Sequence, residues 1–344
     1  MKHDKERLSS HPSAPEASIP DRRVLSIAIV THNRKQKLQE LLNSILGSWQ
    51  IVSMLARIII VDDSSVRTEV HSDFPDLIDY VWLPDRVFIT RAKNIAWRRA
   101  TTPLILFIDD DNIVNGEAVM HLIDIMEKYP RIGAVMPSVS YRSQPSRIWV
   151  YSTPFRRARW SMNLAGRNSI EHVLPDQDLM NTDALPNAFM IRRSVLLAIS
   201  GFDEEFIYNN SCDLGQRIKG SGFEVYASTV SRFHHDVPPP GQKGYWADHV
   251  AADVERAFPE SRDWTLLMRK IHGKKSVHSP FLYVNFIKWV LQVDLGMLLI
   301  RLSSKQFIRI NISFLKGFIF GIRMKVSTFY RTENANYGII QETE

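Results

Sequence analysis

Apolar and polar positions follow two regimes along this chain: short unbroken apolar runs that end in polar clusters, and longer stretches with apolar residues three and four apart. The clearest run is 104–108, Leu-Ile-Leu-Phe-Ile, set off by Pro103 and running straight into Asp109, Asp110 and Asp111. Such a run predicts a strand buried on both faces of a largely parallel sheet. Residues 24–30 and 57–61 predict two more strands, ending in Thr31-His32-Asn33-Arg34 and Asp62-Asp63-Ser64-Ser65. Between them, Leu38, Leu41, Leu42, Ile45 and Leu46 recur at helical spacing over 35–46, which completes a βαβ unit. A short strand is expected over 80–83. A basic helix follows over 90–100, with Ala92, Ile95, Ala96 and Arg99 on one side; its cations suit either a phosphate chain bound near the aspartates or a solvated face, and read without neighbours they default to the solvated face. Residues 224–230 are β-like and precede His234-His235-Asp236.

In an open α/β sheet, ligands bind outside the carboxyl ends of the strands, where the three aspartates fall. Adjacent carboxylates repel one another unless a positive charge lies among them, and a hard divalent cation with oxygen ligands fits. No Gly-x-Gly-x-x-Gly follows the first strand and there is no Walker lysine loop. A nucleotide bound here is therefore held by side chains.

Composition narrows the class without choosing a partner. The 344 residues, 44% hydrophobic and 23% charged, allow one large domain or one domain with an appendage. The formal net charge of +6 suits nucleic acid, an anionic membrane or a phosphorylated substrate equally. Nucleic-acid binding predicts cations gathered on one groove-reading element, whereas here they are scattered and heaviest near the C-terminus, so no nucleic-acid partner is expected. Cys212 is the single cysteine, which excludes an intrachain disulfide framework and fits a reducing compartment. Residues 1–21 lack the apolar segment of a secretory signal, and a disordered, cytoplasmic tail is expected there.

Two further regions stand apart. Residues 151–185 are rich in Arg, Trp, Asn and Asp with little periodicity, and Trp149, Arg156, Arg157, Arg159 and Trp160 crowd their start. A long irregular insertion of this kind is usually functional or mobile, and aromatic rings with arginines suit a sugar or phosphate acceptor. Residues 281–323 are strongly apolar but interrupted by Lys288, Asp294, Arg301, Lys305, Arg309, Lys316 and Arg323. No uncharged stretch in this region, 295–300 included, comes near the ~20 residues a spanning helix needs. Basic amphipathic helices lying on a membrane fit the pattern, with a homodimer interface as the competing use.

The motifs in order resemble glycosyltransferase family 2: 24–34, 58–65, 90–94 and 107–112, then Ala188-Phe189-Met190-Ile191-Arg192-Arg193, Gly201-Phe202-Asp203-Glu204 and Asp213-Leu214-Gly215-Gln216-Arg217. The resemblance covers about 24–235. It implies the GT-A fold, α/β and Rossmann-like with a mostly parallel central sheet flanked by helices. Thr31, His32, Asn33 and Arg34 then fall on the nucleotide-binding turn, with His32 where an aromatic ring lies against the base. Asp62 and Asp63 match acids that contact base and ribose. Lys93 and Asn94 stand where the family has Arg-Asn, keeping a cation without its bidentate fork. Asp109 and Asp111 match the Asp-x-Asp motif, with Asp110 between them. The resemblance implies Mn²⁺ or Mg²⁺ on the donor diphosphate, held by Asp109, Asp111 and one of His234 and His235. The family's usual Glu-Asp pair ahead of Asp213 is replaced by Asn210 and Ser211. Asp213 is the first choice as general base, with Asp203 and Glu204 behind it; in the absence of catalysis Asp213 is an acid in the first turn of a helix over 212–219, ended by Gly220 and Gly222.

The expected organisation is a tail over 1–23, a GT-A domain over 24–262, an amphipathic helical region over 263–330 and a disordered tail over 331–344. The expected activity is inverting, metal-dependent transfer of a hexosyl or deoxyhexosyl group from a nucleoside-diphosphate sugar to a hydroxyl of a glycan or lipid-linked acceptor. The expected location is the cytoplasmic side of a membrane. A catalytically inactive sugar-nucleotide-binding homologue is the alternative that Asn210 and Ser211 suggest. A nucleotidyltransferase would need a Gly-rich basic loop where Thr31-His32-Asn33-Arg34 stands.

Overall fold

A computed structural model describes residues 23–156, 161–243, 254–299 and 303–326. Residues 1–22 of the tail expected over 1–23, the tail expected over 331–344, and Arg157, Arg159, Trp160 and Arg301 lie outside the described residues.

The chain opens with strand β1 (Leu25–Thr31), helices α1 (Lys35–Leu46) and α2 (Trp49–Met54), and β2 (Leu55–Asp62). After β3 (Ile78–Trp82) come α3 (Phe88–Arg99), β4 (Leu104–Asp109), the short β5 (Asn112–Ile113) and α4 (Gly116–Lys128). Strands β6 (Ile132–Tyr141), β7 (Gln144–Val150), β8 (Phe155–Arg156), β9 (Ser161–Met162), β10 (Leu179–Asn181) and β11 (Ala188–Arg192) follow. Helices α5 (Arg193–Ala198) and α6 (Asn210–Gly220) lead to β12 (Glu224–His235).

The main sheet runs β10-β12-β6-β11-β4-β1-β2-β3, with β5 on β12 and β7 on β6. It is parallel from β3 through β4 and turns antiparallel at β11. Ile27 and Ile29, Ile58 and Ile60, and Leu106 and Ile108 face α1, α2 and α4. Their neighbours Ala28, Ile59, Val61, Ile105 and Phe107 face α3, α5 and α6. Two-sided burial is why these strands read as unbroken apolar runs.

The structure corrects one expectation at once. Helix α3 does not present all its cations to water, because Lys93 and Asn94 are 6% and 1% exposed and only the outer residues, among them Arg98 and Arg99, form a solvated face.

Three helices complete the described chain: α7 (Val254–His272), α8 (Pro280–Leu299) and α9 (Ser304–Arg323). Residues 262 and 263, where composition placed a boundary, lie within α7. Helix α9 lies against α7 at Gly317 and Gly321, where a Cβ on Gly317 would stand 2.3 Å from the Phe258 carbonyl. This layer packs on the sheet domain through Phe206, Cys212 and Ala184. Its outer surface leaves Val284, Ile287 and Leu291 of α8 and Ile308, Ile312, Leu315 and Ile319 of α9 exposed, each set at helical spacing. Among the described residues no helix is long and apolar enough to cross a membrane.

Candidate active site

The carboxyl ends of β1, β2 and β4 meet the N-terminal edge of β11 and the end of β12. At the β1 end, Thr31 Oγ1 donates to Asp110 Oδ2 at 2.7 Å, and Arg34 reaches Asp110 Oδ1 at 3.1 Å and Asp111 Oδ2 at 3.0 Å. From α3, Lys93 Nζ stands 3.7 Å from Asp109 Oδ1, over the rings of Phe189 and Phe202. From β12, His235 Nε2 lies 3.2 Å from Asp111 Oδ1 but outside hydrogen-bond alignment, and the His235 and Trp149 rings meet edge to face with centroids 4.9 Å apart.

Strand alternation separates the two histidines. His235 stands against Asp111, whereas His234 points to the other side, with Nδ1 2.8 Å from Ser140 Oγ. Burial, with the nearby charge of Arg232, lowers the His234 pKa.

The aspartates divide by environment. Burial pushes Asp110 up to about 6, against the Thr31 hydroxyl and the Arg34 charge. Burial would raise Asp111 too, but the approach of His235 and the charge of Arg34 outweigh it and hold it at about 2. Asp109 is raised by burial, opposed by Lys93 and reinforced by Asp111. Like charges crowded at one strand end resolve in this way.

Asp62 and Asp63 are committed to the protein. Asp62 accepts from the amides of Ser64 at 2.9 Å and Thr68 at 3.1 Å and from the Tyr80 hydroxyl. Asp63 Oδ2 accepts from the amides of Val87 and Phe88, and so holds Phe88 at a φ of 61° at the start of α3. Its Oδ1 and its carbonyl oxygen each lie 2.9 Å from His32 Nδ1. Both partners accept, so Nδ1 carries the proton and the imidazole is fixed in one orientation, with its side chain 35% exposed.

Of the three candidate bases, Asp203 and Glu204 lie on the loop before α6 and Asp213 in the first turn of α6, and the group is braced from several sides. Asn94 Nδ2 donates to the Phe202 carbonyl and to Glu204 Oε1, at 2.9 and 2.8 Å. Asp213 is 1% exposed and pairs with Arg217 at 2.7 Å. Lys270 of α7, 2% exposed, contacts Asp203 and stands 3.6 Å from Asp213. Asp263, on the same helix, accepts from the amides of Ile207 and Tyr208 at 2.7 and 2.6 Å. Helix α6 begins after Asn209, which has the left-handed φ of 56°, so Asn210 and Ser211 occupy its first turn.

The insertion over 151–185 is tied down where it is described. Thr153 Oγ1 donates to the Ala184 carbonyl at 2.6 Å, and Asp183 pairs with Lys219 at 2.8 Å.

Sequence reasoning missed Asn187 and Lys270. Asn187 is 7% exposed at the mouth of β11, and neither of its amide atoms has a partner among the described residues. Asp111 Oδ1, Asn112 Oδ1 and His235 Nδ1 likewise have no hydrogen-bond partner among the described residues. Buried polar atoms without hydrogen-bond partners are rare in folded proteins, and five of those among the described residues gather around the end of β4. Among the described residues no group of three or more His, Cys, Asp or Glu stands ready as a complete metal cage. Asp111 and His235 nevertheless offer a free carboxylate oxygen beside an imidazole, a donor pair suited to Mn²⁺, and Arg34 already supplies positive charge there.

A family model described as Glycosyl transferase family 2 matches residues 26–197. A mouse beta-1,4 N-acetylgalactosaminyltransferase 2 is 30% identical over 115 residues, 33% of this chain and 21% of that protein. A putative Drosophila melanogaster polypeptide N-acetylgalactosaminyltransferase 10 is 24% identical over 213 residues, 55% of this chain and 34% of its own length. The chain thus spans only 21% and 34% of the length of these two relatives. Among solved structures, S. aureus TarS 1-349 superposes with a TM-score of 0.54 at 13% identity, covering 87% of this chain and 81% of that one. A Pyrobaculum calidifontis mannosyltransferase in complex with GDP-Man and Mn²⁺ superposes at 0.50, with 15% identity over 87% and 84%. At these identities the likeness is one of fold.

Proposed function

The chain belongs to glycosyl transferase family 2, and from that premise we propose that it transfers a sugar, with inversion, from a nucleoside-diphosphate sugar to a hydroxyl of a glycan or lipid-linked acceptor. The observation that carries the proposal is the gathering of unpartnered buried polar atoms at the end of β4, beside Arg34, Lys93 and three aspartates. A polar, charged ligand that brings its own positive ion would satisfy all of them.

In this reading His32 stacks on the base, oriented by Asp63, while Asp62 keeps the loop over 64–68 in shape. Asp111, Asp109 and His235 would hold Mn²⁺ or Mg²⁺, which supplies positive charge to the departing diphosphate. Lys93 and Arg34 neutralise the aspartates before a donor arrives and turn toward phosphate oxygens afterwards. Neutralising the leaving group is what the reaction most needs, since the sugar–phosphate bond breaks with charge building on the diphosphate.

The general base must take a proton from the acceptor hydroxyl as it attacks the anomeric carbon. Asp213 is buried between Arg217 and Lys270, and Lys270 also holds Asp203, so both serve as anchors. Of the three carboxylates, Glu204 is exposed and is oriented by a neutral amide, that of Asn94. We assign it the base role. The anchoring of Asp213 also favours a second reading, a homologue that binds sugar nucleotides without turning them over.

The C-terminal face supports peripheral attachment to an anionic membrane. Its apolar stripe is bordered by Lys288, Lys305, Arg309, Lys316, Arg323 and Lys325, and Asp294 is the single acid between 280 and 326. The activity is tested by following nucleoside-diphosphate release from a panel of sugar nucleotides with glycan and lipid-linked acceptors. Donor binding with no release under any acceptor would favour the inactive reading.

A further inference from the structure

We propose that Asn187 reads the hydroxyl groups of the transferred sugar, an assignment that rests on the donor site proposed above. Asn187 joins the site through its backbone, since its carbonyl accepts from the Asp109 amide at 3.0 Å. Its φ of 67° is left-handed, a conformation that asparagine tolerates better than most residues with a Cβ. The side chain is 7% exposed, yet Nδ2 and Oδ1 have no hydrogen-bond partner. A carboxamide buried with both functions unused is costly unless a ligand completes it.

The order of strands says which part of a donor would do so. His32, Asp62 and Asp63 lie at the ends of β1 and β2, on one side of β4. Asn187 immediately precedes β11, on the other side of β4. A donor with its base toward β1 and β2 and its diphosphate at the three aspartates carries its sugar onward to β11. The chemistry agrees. Phosphate oxygens find cations in Arg34 and Lys93. Asn187 has no charge and offers one acceptor and two donor hydrogens, which match sugar hydroxyls or an acetamido group that also both donate and accept. A site built to hydrogen-bond a hydroxyl rejects the analogue that lacks or inverts it, because its own buried groups are then left unpaired.

Asn187→Gly tests this, since glycine keeps the left-handed backbone while deleting the carboxamide. The probes are UDP, GDP, UDP-glucose, UDP-galactose, UDP-N-acetylglucosamine, UDP-N-acetylgalactosamine and GDP-mannose, titrated calorimetrically with and without Mn²⁺. For the nucleotide that wild type binds, the variant is expected to keep the free diphosphate Kd within about twofold. Its affinity for the preferred sugar nucleotide should fall about 10- to 100-fold, and its preference over the C4 epimer or the N-acetyl counterpart should collapse. Wild-type discrimination retained in Asn187→Gly overturns the assignment. So does an equal loss for diphosphate and sugar nucleotide in a variant whose melting temperature is unchanged. Failure of wild type to bind any diphosphate overturns the donor site itself, and the role of Asn187 with it.

Discussion

Lys270 Nζ, on the first helix of the C-terminal layer, is buried against the Asp203 carboxylate and lies 3.6 Å from Asp213 Oδ1. Burial alone would raise Asp203, but the hydrogen bond and charge of Lys270 outweigh it and bring the carboxyl below its ordinary range. The helical layer is thereby held against two carboxylates, Asp203 and Asp213, that lie outside the layer itself. Removing one partner of a buried pair leaves uncompensated charge, so Lys270→Met is expected to lower stability by about 3–5 kcal/mol. Urea unfolding reads this directly. Adding Asp203→Asn to Lys270→Met should recover part of the loss, and an unchanged midpoint in the single variant would show that the contact does not stabilise the fold.

Asp62 gives a pH dependence of known sign. Burial would raise its pKa, but the Ser64, Tyr80 and Thr68 donors outweigh burial and lower it, while Tyr80 itself is pushed up to about 12. A carboxyl lowered by folding adds stability that is complete above its unfolded pKa of ~3.9 and is lost as pH falls through the folded value. Tyr80→Phe removes one donor and moves the folded value back toward the unfolded one. Acid unfolding followed by circular dichroism should therefore shift to higher pH, with a loss of about 1.5–3 kcal/mol at neutral pH. A shift to lower pH would contradict the assignment.

Much of this architecture was legible in the sequence because two-sided burial leaves unbroken apolar runs, and β1, β2 and β4 fall close to where those runs place them. The acidic strand ends follow from the same pattern. Other features have no periodic signature. Lys93 lies within a basic helix whose pattern does not single it out; the family resemblance implied its place in the site, and the fold shows it turned inward toward Asp109. Lys270 meets Asp203 across a long stretch of chain, which no local pattern encodes. His235 could have been chosen over His234 by alternation, but a register shift between Ser228 and Arg232 breaks the period of β12 before it reaches them. Asn187 left one trace, an asparagine between Pro186 and a strand, where left-handed backbone is common.

Glu204 and Asp213 should respond differently to substitution. Glu204→Gln is expected to lower kcat by about 10²- to 10⁴-fold with donor affinity and melting temperature kept. Asp213→Asn should act first on stability, since it leaves Arg217 and Lys270 short of a carboxylate. Steady-state kinetics alongside thermal melts separate the two. Full activity in Glu204→Gln would return the base role to the other carboxylates.

The C-terminal face is expected to bind vesicles containing phosphatidylglycerol, and to do so more weakly as salt rises. Ile312→Glu with Leu315→Glu places two charges in the exposed stripe of α9 and should release the protein from the pelleted fraction. Both substitutions lie at exposed positions, so the melting temperature should hold. Equal sedimentation of wild type and variant would assign the stripe to another use.

The most direct test of the donor site is calorimetric titration of nucleoside diphosphates and their sugars, with and without Mn²⁺, into wild type and Asp111→Asn. The account predicts that one base binds, that Mn²⁺ strengthens the binding, and that Asp111→Asn removes the metal dependence while the fold persists. Absence of nucleotide binding under every metal, or metal-dependent binding that survives Asp111→Asn unchanged, would contradict it.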